Sequence, residues 1–154
     1  MIKSKSVSSS QVVMTQLVLP SHTNSLDTVF GGTVMSWIDI SAAIAAQRHS
    51  NKIVVTASMD QLNFIAPIKK GWVVNLRASV NFASRTSMEV GIRVEAENPL
   101  TSELFHTASA YMTFVALDIN GKPTEVPHLI PDTAVEKRRF EAGKKRREIR
   151  LLNK

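Results

Sequence analysis

Residues 31–49 read GGTVMSWIDISAAIAAQRH, and the interpretation of the rest of the chain turns on this stretch. It contains no proline after its opening glycines, is rich in Ala, Ile and Val, and is apolar nearly all the way round a 3.6-residue period. Such a segment predicts a helix buried on most of its sides. At about 1.5 Å per residue it runs roughly 25 Å, long enough to lie across a whole sheet.

Its neighbours on both sides carry the other period. From Trp72 to Phe82, Trp72, Val74, Leu76, Ala78, Val80 and Phe82 alternate with Asn75, Arg77, Ser79 and Asn81, the pattern of a half-buried strand. After Ala83-Ser84-Arg85-Thr86 the same parity returns in Met88, Val90, Ile92, Val94 and Ala96, which predicts an antiparallel hairpin. Asn98-Pro99 ends it, and Phe105 to Leu117 forms a further strand before the turn at Asp118-Ile119-Asn120-Gly121. Ile53 to Ile65 is strand-like as well, but its parity changes between Met59 and Leu62, as an inserted bulge residue would cause. Gln11 to Leu19 supplies a first strand ending at Pro20. The order is strand, long helix, then four strands joined by short turns. This is an α+β arrangement, one antiparallel sheet wrapped around one helix.

A chain of 154 residues suits a single domain. With 44% hydrophobic and 21% charged residues, and no apolar run near the ~20 residues that span a bilayer, it is expected to be soluble, without membrane insertion. Residues 1–10, MIKSKSVSSS, lack the apolar core of a secretory signal and are expected to form a disordered arm. Residues 11–128 are expected to hold the domain and 129–154 a basic helical tail. The absence of cysteine removes disulfides, thiolate nucleophiles and zinc knuckles, and suits a reducing cytoplasm. Residues 134–154 hold 9 of the 19 Lys and Arg and 3 of the 13 Asp and Glu, so the other 133 residues balance at 10 of each sign. All of the +6 lies in the tail. Thr133-Ala134-Val135-Glu136 fits a capping box opening that helix, and no internal repeat is present.

The chain has no G-x-S-x-G elbow, P-loop or dinucleotide fingerprint, and His22, His49, His106 and His128 lack metal-ligand spacing. Asp39 remains: Met35, Ala42, Ala43 and Ala46 share its helical face, so its carboxylate is expected to project into a packed apolar surface. Burial there would raise its pKa and make it a stronger base, although a structural carboxylate with a polar partner fits the same pattern. The loop from His22 to Gly32 ends in paired glycines at the start of the helix. Their free N–H groups suit either an oxyanion or an ordinary helix start.

In order along the chain, Leu19-Pro20-Ser21-His22-Thr23-Asn24, Phe30-Gly31-Gly32, Met35-Ser36-Trp37-Ile38-Asp39, Val55-Thr56-Ala57-Ser58-Met59-Asp60, Asn63-Phe64, Ser87-Met88-Glu89-Val90 and Thr113-Phe114-Val115-Ala116-Leu117-Asp118 resemble the acyl-CoA hydrolases of the hotdog superfamily. These include bacterial single-domain enzymes and the tandem-domain cytosolic long-chain enzymes of animals. The resemblance runs from about Gln16 to Pro127. It implies a hotdog helix over Gly32 to His49, Asp39 as the catalytic carboxylate and Asn24 as a catalytic asparagine given by the other subunit of a dimer. Gly31 and Gly32 would face the thioester carbonyl, and Arg85, Thr86 and Ser87 would approach the CoA moiety. It implies a homo-oligomer, a trimer of dimers, hydrolysing fatty acyl-CoA in the cytoplasm with no metal or other cofactor. Asp39 would act as general base or as nucleophile. Leu26-Asp27-Thr28 departs from the family pattern, where many relatives carry a glycine. A 3-hydroxyacyl-thioester dehydratase of the same fold would need a histidine beside the carboxylate, and His22 is the candidate. Lys137 to Arg150 would suit nucleic acid electrostatically, but only Phe140 is available for stacking, and no nucleic-acid partner is expected.

Overall fold

In the computed structural model, which describes residues 3–153, the chain forms β1 (Ser4–Ser6), β2 (Val12–Leu17), α1 (Gly31–Ser50), β3 (Ile53–Phe64), β4 (Val73–Ala83), β5 (Ser87–Asn98), β6 (Glu103–Leu117), β7 (His128–Ile130) and α2 (Ala134–Leu152). The apolar stretch is thus a 20-residue helix. It stops where Asn51 turns left-handed at φ 55° and its N–H donates to the Gln47 carbonyl at 2.7 Å. Asparagine tolerates that conformation better than most residues with a Cβ.

The strands form a five-stranded antiparallel sheet in the order β2-β4-β5-β6-β3, and β1 and β7 form a separate parallel pair. This is the hotdog arrangement. One face of the sheet packs on α1: Leu76, Val80, Val90, Val94, Met112 and Phe114 meet Val34, Ile38, Ala42, Ala45 and Ala46, all buried. The alanines let the helix sit close to the sheet. Each fully buried Val, Ile or Leu side chain contributes about 1.5–3 kcal/mol. The parity change in β3 corresponds to two register shifts, between Thr56 and Ser58 and between Met59 and Gln61, and the latter falls where the alternation fails. No described helix is long and apolar enough to cross a membrane.

Three expectations need correction or completion. First, α1 is not buried on most sides within one protomer. The sheet covers one face, while Met35 is 41% and Ile40 48% exposed on the other. Second, the residues 3–10 of the supposed disordered arm are ordered; Met1 and Ile2 lie outside the described residues. Val7 and Ser10 are buried, the Ser10 hydroxyl donates to the Val7 carbonyl at 2.8 Å, and the same oxygen accepts the Val80 N–H at 3.0 Å. The serines of the expected disordered arm thus tie a short 3-10 turn together, their hydroxyls donating to backbone carbonyls three residues earlier. Third, the basic tail is a helix that docks rather than frays. The Thr133 hydroxyl accepts the Glu136 N–H at 3.1 Å, and Glu136 Oε1 accepts the Thr133 N–H at 3.4 Å, completing the capping box.

α2 lies on the sheet face opposite α1. Arg146 donates twice to Glu89, at 2.7 and 2.9 Å, and Asn81 donates to the same carboxylate at 3.2 Å. Glu89 is 5% exposed, so this is a nearly buried, bidentate pair. The hydrogen bond to Glu89 raises the pKa of Arg146 further above its ordinary value. Arg150 reaches Asp60 at 2.8 Å, and Phe140 meets Phe82 edge to face. Asp60 is unpaired in the β3 register, at the second irregularity, where its side chain also accepts the Thr113 hydroxyl at 3.3 Å.

Candidate active site

Asp39 sits in the middle of α1 and is half-buried, with Oδ1 accepting the Thr56 hydroxyl at 2.8 Å. The expected enclosure by apolar side chains is absent in the single protomer because its helical neighbour Met35 is itself exposed. Oδ2 of Asp39 has no hydrogen-bond partner among the described residues and can take one from water or substrate. Thr56 was not legible as a site residue. It comes from β3, 17 positions away, and only the return of the chain antiparallel to α1 brings it there. The one signal for it was its place within the Val55-Thr56-Ala57-Ser58-Met59-Asp60 block.

Asn24 lies in the loop before α1 and organises it. Its Oδ1 accepts the Leu26 N–H at 2.9 Å, the Thr28 N–H at 3.3 Å and the Thr28 hydroxyl at 3.2 Å. Two backbone donors on one side-chain oxygen fix the amide's orientation, so the Nδ2 hydrogens are the end left for a ligand. Within Leu26-Asp27-Thr28, where the chain departs from the family pattern, Asp27 adopts φ 59°, a left-handed conformation that glycine takes without strain. No hydrogen bond joins Asn24 to Asp39 within one protomer among the described residues.

Gly31 and Gly32 open α1 on a turn with no side-chain cap. A Cβ added at Gly32 would meet nothing within 4 Å, so a ligand can approach its N–H. Beside Gly31, Val29, Val34, Phe64, Ile65, Pro67 and Ile68 line an apolar cavity of about 330 Å³. Arg85, Thr86 and Ser87 form the β4–β5 turn, fixed by Thr86 and Arg85 carbonyls that accept the Ala116 and Val126 N–H groups at 3.0 and 2.9 Å. No hydrogen bond or ion pair among the described residues joins this turn to Asp39. The registers Thr56 to Phe114 and Phe114 to Met88 put it two strands away, roughly 10 Å. His22 is turned elsewhere. Its Nδ1 accepts the Leu19 N–H at 3.0 Å and its ring packs on Trp37, which at two positions before Asp39 points to the far side of α1. The carboxylate–histidine pair of a dehydratase is therefore not assembled in the protomer. No cluster of three or more His, Asp or Glu suited to a metal occurs among the described residues.

An orphan helix start, an oriented amide and a carboxylate with a free oxygen are the parts that acyl transfer to water requires, and residues 26–103 match the family model described as thioesterase superfamily. The chain belongs to the thioesterase superfamily. This superfamily member is similar to an uncharacterized acyl-CoA thioester hydrolase of Bacillus subtilis, 45% identical over 127 residues, which cover 82% of this chain and 74% of that protein. It is similar in structure to an apo-hexameric acyl-CoA thioesterase, with a TM-score of 0.95, 43% identity and coverage of 99% and 97% of the two chains. An acyl-CoA hydrolase of Staphylococcus aureus in complex with butyryl coenzyme A, coenzyme A and coenzyme A disulfide matches with a TM-score of 0.91 and 39% identity over 97% of this chain and 92% of that one. Structures of that same protein carry alanine in place of an aspartate, an asparagine or a threonine.

Proposed function

We propose that this thioesterase hydrolyses fatty acyl-CoA to the free acid and CoA, in a site that two copies of the chain complete, Asp39 from one and Asn24 from the other. The observation that carries this reading is the apolar, bare surface of the protomer around two residues that no hydrogen bond joins within it. Phe30, Met35, Ile40, Val55, Phe64 and Ile65 are each more than 40% exposed, and β3 is an unpaired edge strand of 12 residues. Such a surface suits burial against a second copy. The hexameric relative supports a homo-oligomer here, a trimer of dimers.

In the proposed reaction Asp39 is the general base. Thr56 occupies Oδ1 and orients the carboxylate, leaving Oδ2 to take a proton from water as the water oxygen attacks the thioester carbonyl carbon. The oxyanion is stabilised by the N–H of Gly32, at the positive end of the helix, and by Nδ2 of the partner's Asn24. The carbon–sulfur bond then breaks and the proton passes from Asp39 to the leaving thiolate. The apolar cavity beside Gly31 suits the acyl chain, and Arg85, Thr86 and Ser87 suit the polar CoA end. The three residue types replaced by alanine in the S. aureus protein are those of Asn24, Asp39 and Thr56, which supports the assignment.

A thiol-release assay over acyl-CoA chain lengths tests the function, and absence of turnover at every length removes it. A single turnover in ¹⁸O-water tests the role of Asp39. Label in the Asp39 carboxylate identifies a nucleophile whose anhydride water opens at the aspartyl carbon; label only in the fatty acid, with no acyl-aspartyl anhydride trapped by hydroxylamine, identifies a base.

A further inference from the structure

On the sheet face away from Asp39, α2 roofs a cavity of about 560 Å³ whose floor is β4, β5 and β6. We propose that this cavity binds a small, multiply phosphorylated anion.

Five arginines converge on it: Arg77 and Arg93 from the sheet, Arg138, Arg139 and Arg146 from α2. The carboxylates paired with them are two. Glu89 holds Arg146, and Glu95 lies 2.9 Å from Arg93 and 4.0 Å from Arg77. Arg138 and Arg139 have no carboxylate within 4.0 Å among the described residues. Five guanidinium groups against two carboxylates leave an excess of three positive charges around one concavity. An anion of matching charge relieves their mutual repulsion, and the planar fork of each guanidinium suits phosphate oxygens.

On the floor, the amide of Asn81 covers Gly91, its Nδ2 2.5 Å from where a Cβ would stand, and adds a polar group to the lining. Ala142 gives a small residue on the roof, and the Ser79, Ser109 and Tyr111 side chains add polar groups to the wall. The volume falls in the usual range of small-ligand sites, about 300–1,000 Å³. A solvated basic face would be convex and interspersed with acids; this one is concave and short of them.

Phosphates of that kind come from two sources: a free polyphosphate, or the phosphorylated end of CoA itself. The test measures binding of inorganic pyrophosphate, ADP and CoA to the full chain by calorimetry at fixed ionic strength. It compares the wild type with an Arg138→Glu, Arg139→Glu variant and with a Lys144→Glu, Lys145→Glu variant of equal charge outside the cavity. All four positions are exposed on α2, and circular dichroism verifies the fold. The expected result is saturable pyrophosphate binding by the wild type, weakened about tenfold or more by the arginine changes and little by the lysine changes. Equal weakening in both variants, or no saturable binding by the wild type, overturns the proposal. In the kinetic arm, pyrophosphate that only raises KM for acyl-CoA, and does so in the wild type but not in the Arg138→Glu, Arg139→Glu variant, identifies CoA as the source. Inhibition or activation through kcat, or unchanged turnover, identifies a free ligand. The binding arm does not depend on turnover, so an error in the hydrolytic reading and an error here show up separately.

Discussion

The hydroxyl of Thr56 on Oδ1 of Asp39 divides the work of one carboxylate between being held and doing chemistry. Asp39→Asn keeps the shape and the bond from Thr56 but removes the base, so kcat is expected to fall at least about a hundredfold with the oligomer intact. Thr56→Val removes only the orienting donor; a hydrogen bond to a charged group is worth about 1.5–3 kcal/mol, so a loss of about ten- to a hundredfold in kcat with little change in KM is expected. Steady-state kinetics on both variants check this, and a Thr56→Val enzyme as fast as wild type removes Thr56 from the mechanism. Asp39 stood out in the sequence because a charge on an apolar helical face is conspicuous. Thr56 did not, since a threonine in a strand is ordinary and the sequence carries no register between β3 and α1. A third residue was passed over for the same reason. His49 is fully buried at the end of α1, its Nε2–H donates to the Pro127 carbonyl at 2.8 Å, and its Nδ1 has no partner. Burial lowers its pKa from the ordinary 6.5. Above 6.5 both folded and unfolded chains carry it neutral. As pH falls through 6.5 the unfolded chain takes up a proton that the folded chain refuses, so stability drops until pH reaches the lowered folded value. Thermal unfolding between pH 8 and 5 is expected to show this fall in the wild type and a flatter profile in His49→Gln.

At the scale of elements, α2 was legible as a helix and illegible as a neighbour. Its capping box is local, and local signals survive in sequence. Its docking face is not. Glu89 alternates with the apolar residues of β5 and so looks like a solvent-facing side chain; alternation separates the two faces of a strand without telling whether the polar face is bare or covered. Gly143 is buried where α2 crosses β4 and β5, and a Cβ there would lie 2.7 Å from Glu89 Oε2 and 3.0 Å from the Phe82 Cβ. Arg146→Met would strand a nearly buried carboxylate, a loss expected to cost about 3–5 kcal/mol, whereas the double change Glu89→Gln, Arg146→Met is expected to recover much of it. Chemical denaturation of the two proteins measures the difference, and equal losses would show that the ion pair does not hold α2. β4, β5 and the helix were readable because each keeps one period over ten or more residues, and β3 was readable because its break in parity is the mark of a bulge. The three-residue strands β1 and β7 were missed, being too short to show any period.

For the whole molecule, periodicity held the architecture, while the expectation of a site shared by two chains came only through the family resemblance. The exposed side of α1 reads as buried because its composition reflects a surface that one chain does not cover. If Asp39 and Asn24 act across two chains, inactive Asn24→Ala and Asp39→Ala subunits refolded together should regain activity. Random pairing makes about half of the dimers mixed, each with one of two sites intact, so recovery of roughly a quarter of wild-type activity is expected. A mixture that stays inactive, while native mass spectrometry shows mixed oligomers, means that the site lies within one chain. The sheet order has a further consequence, one of timing. β3 pairs only with β6 inside the protomer; Phe64 meets Ala108 and Ile53 meets Leu117, so 44 to 64 residues separate the partners. At about 5–20 residues per second, a ribosome needs roughly 2 to 13 seconds to deliver β6 after β3 has been made. Throughout that interval a nascent chain carries an apolar strand with neither edge paired. Nascent-chain chaperones should therefore bind most strongly to chains that end between β3 and β6, and release them once Leu117 has cleared the exit tunnel.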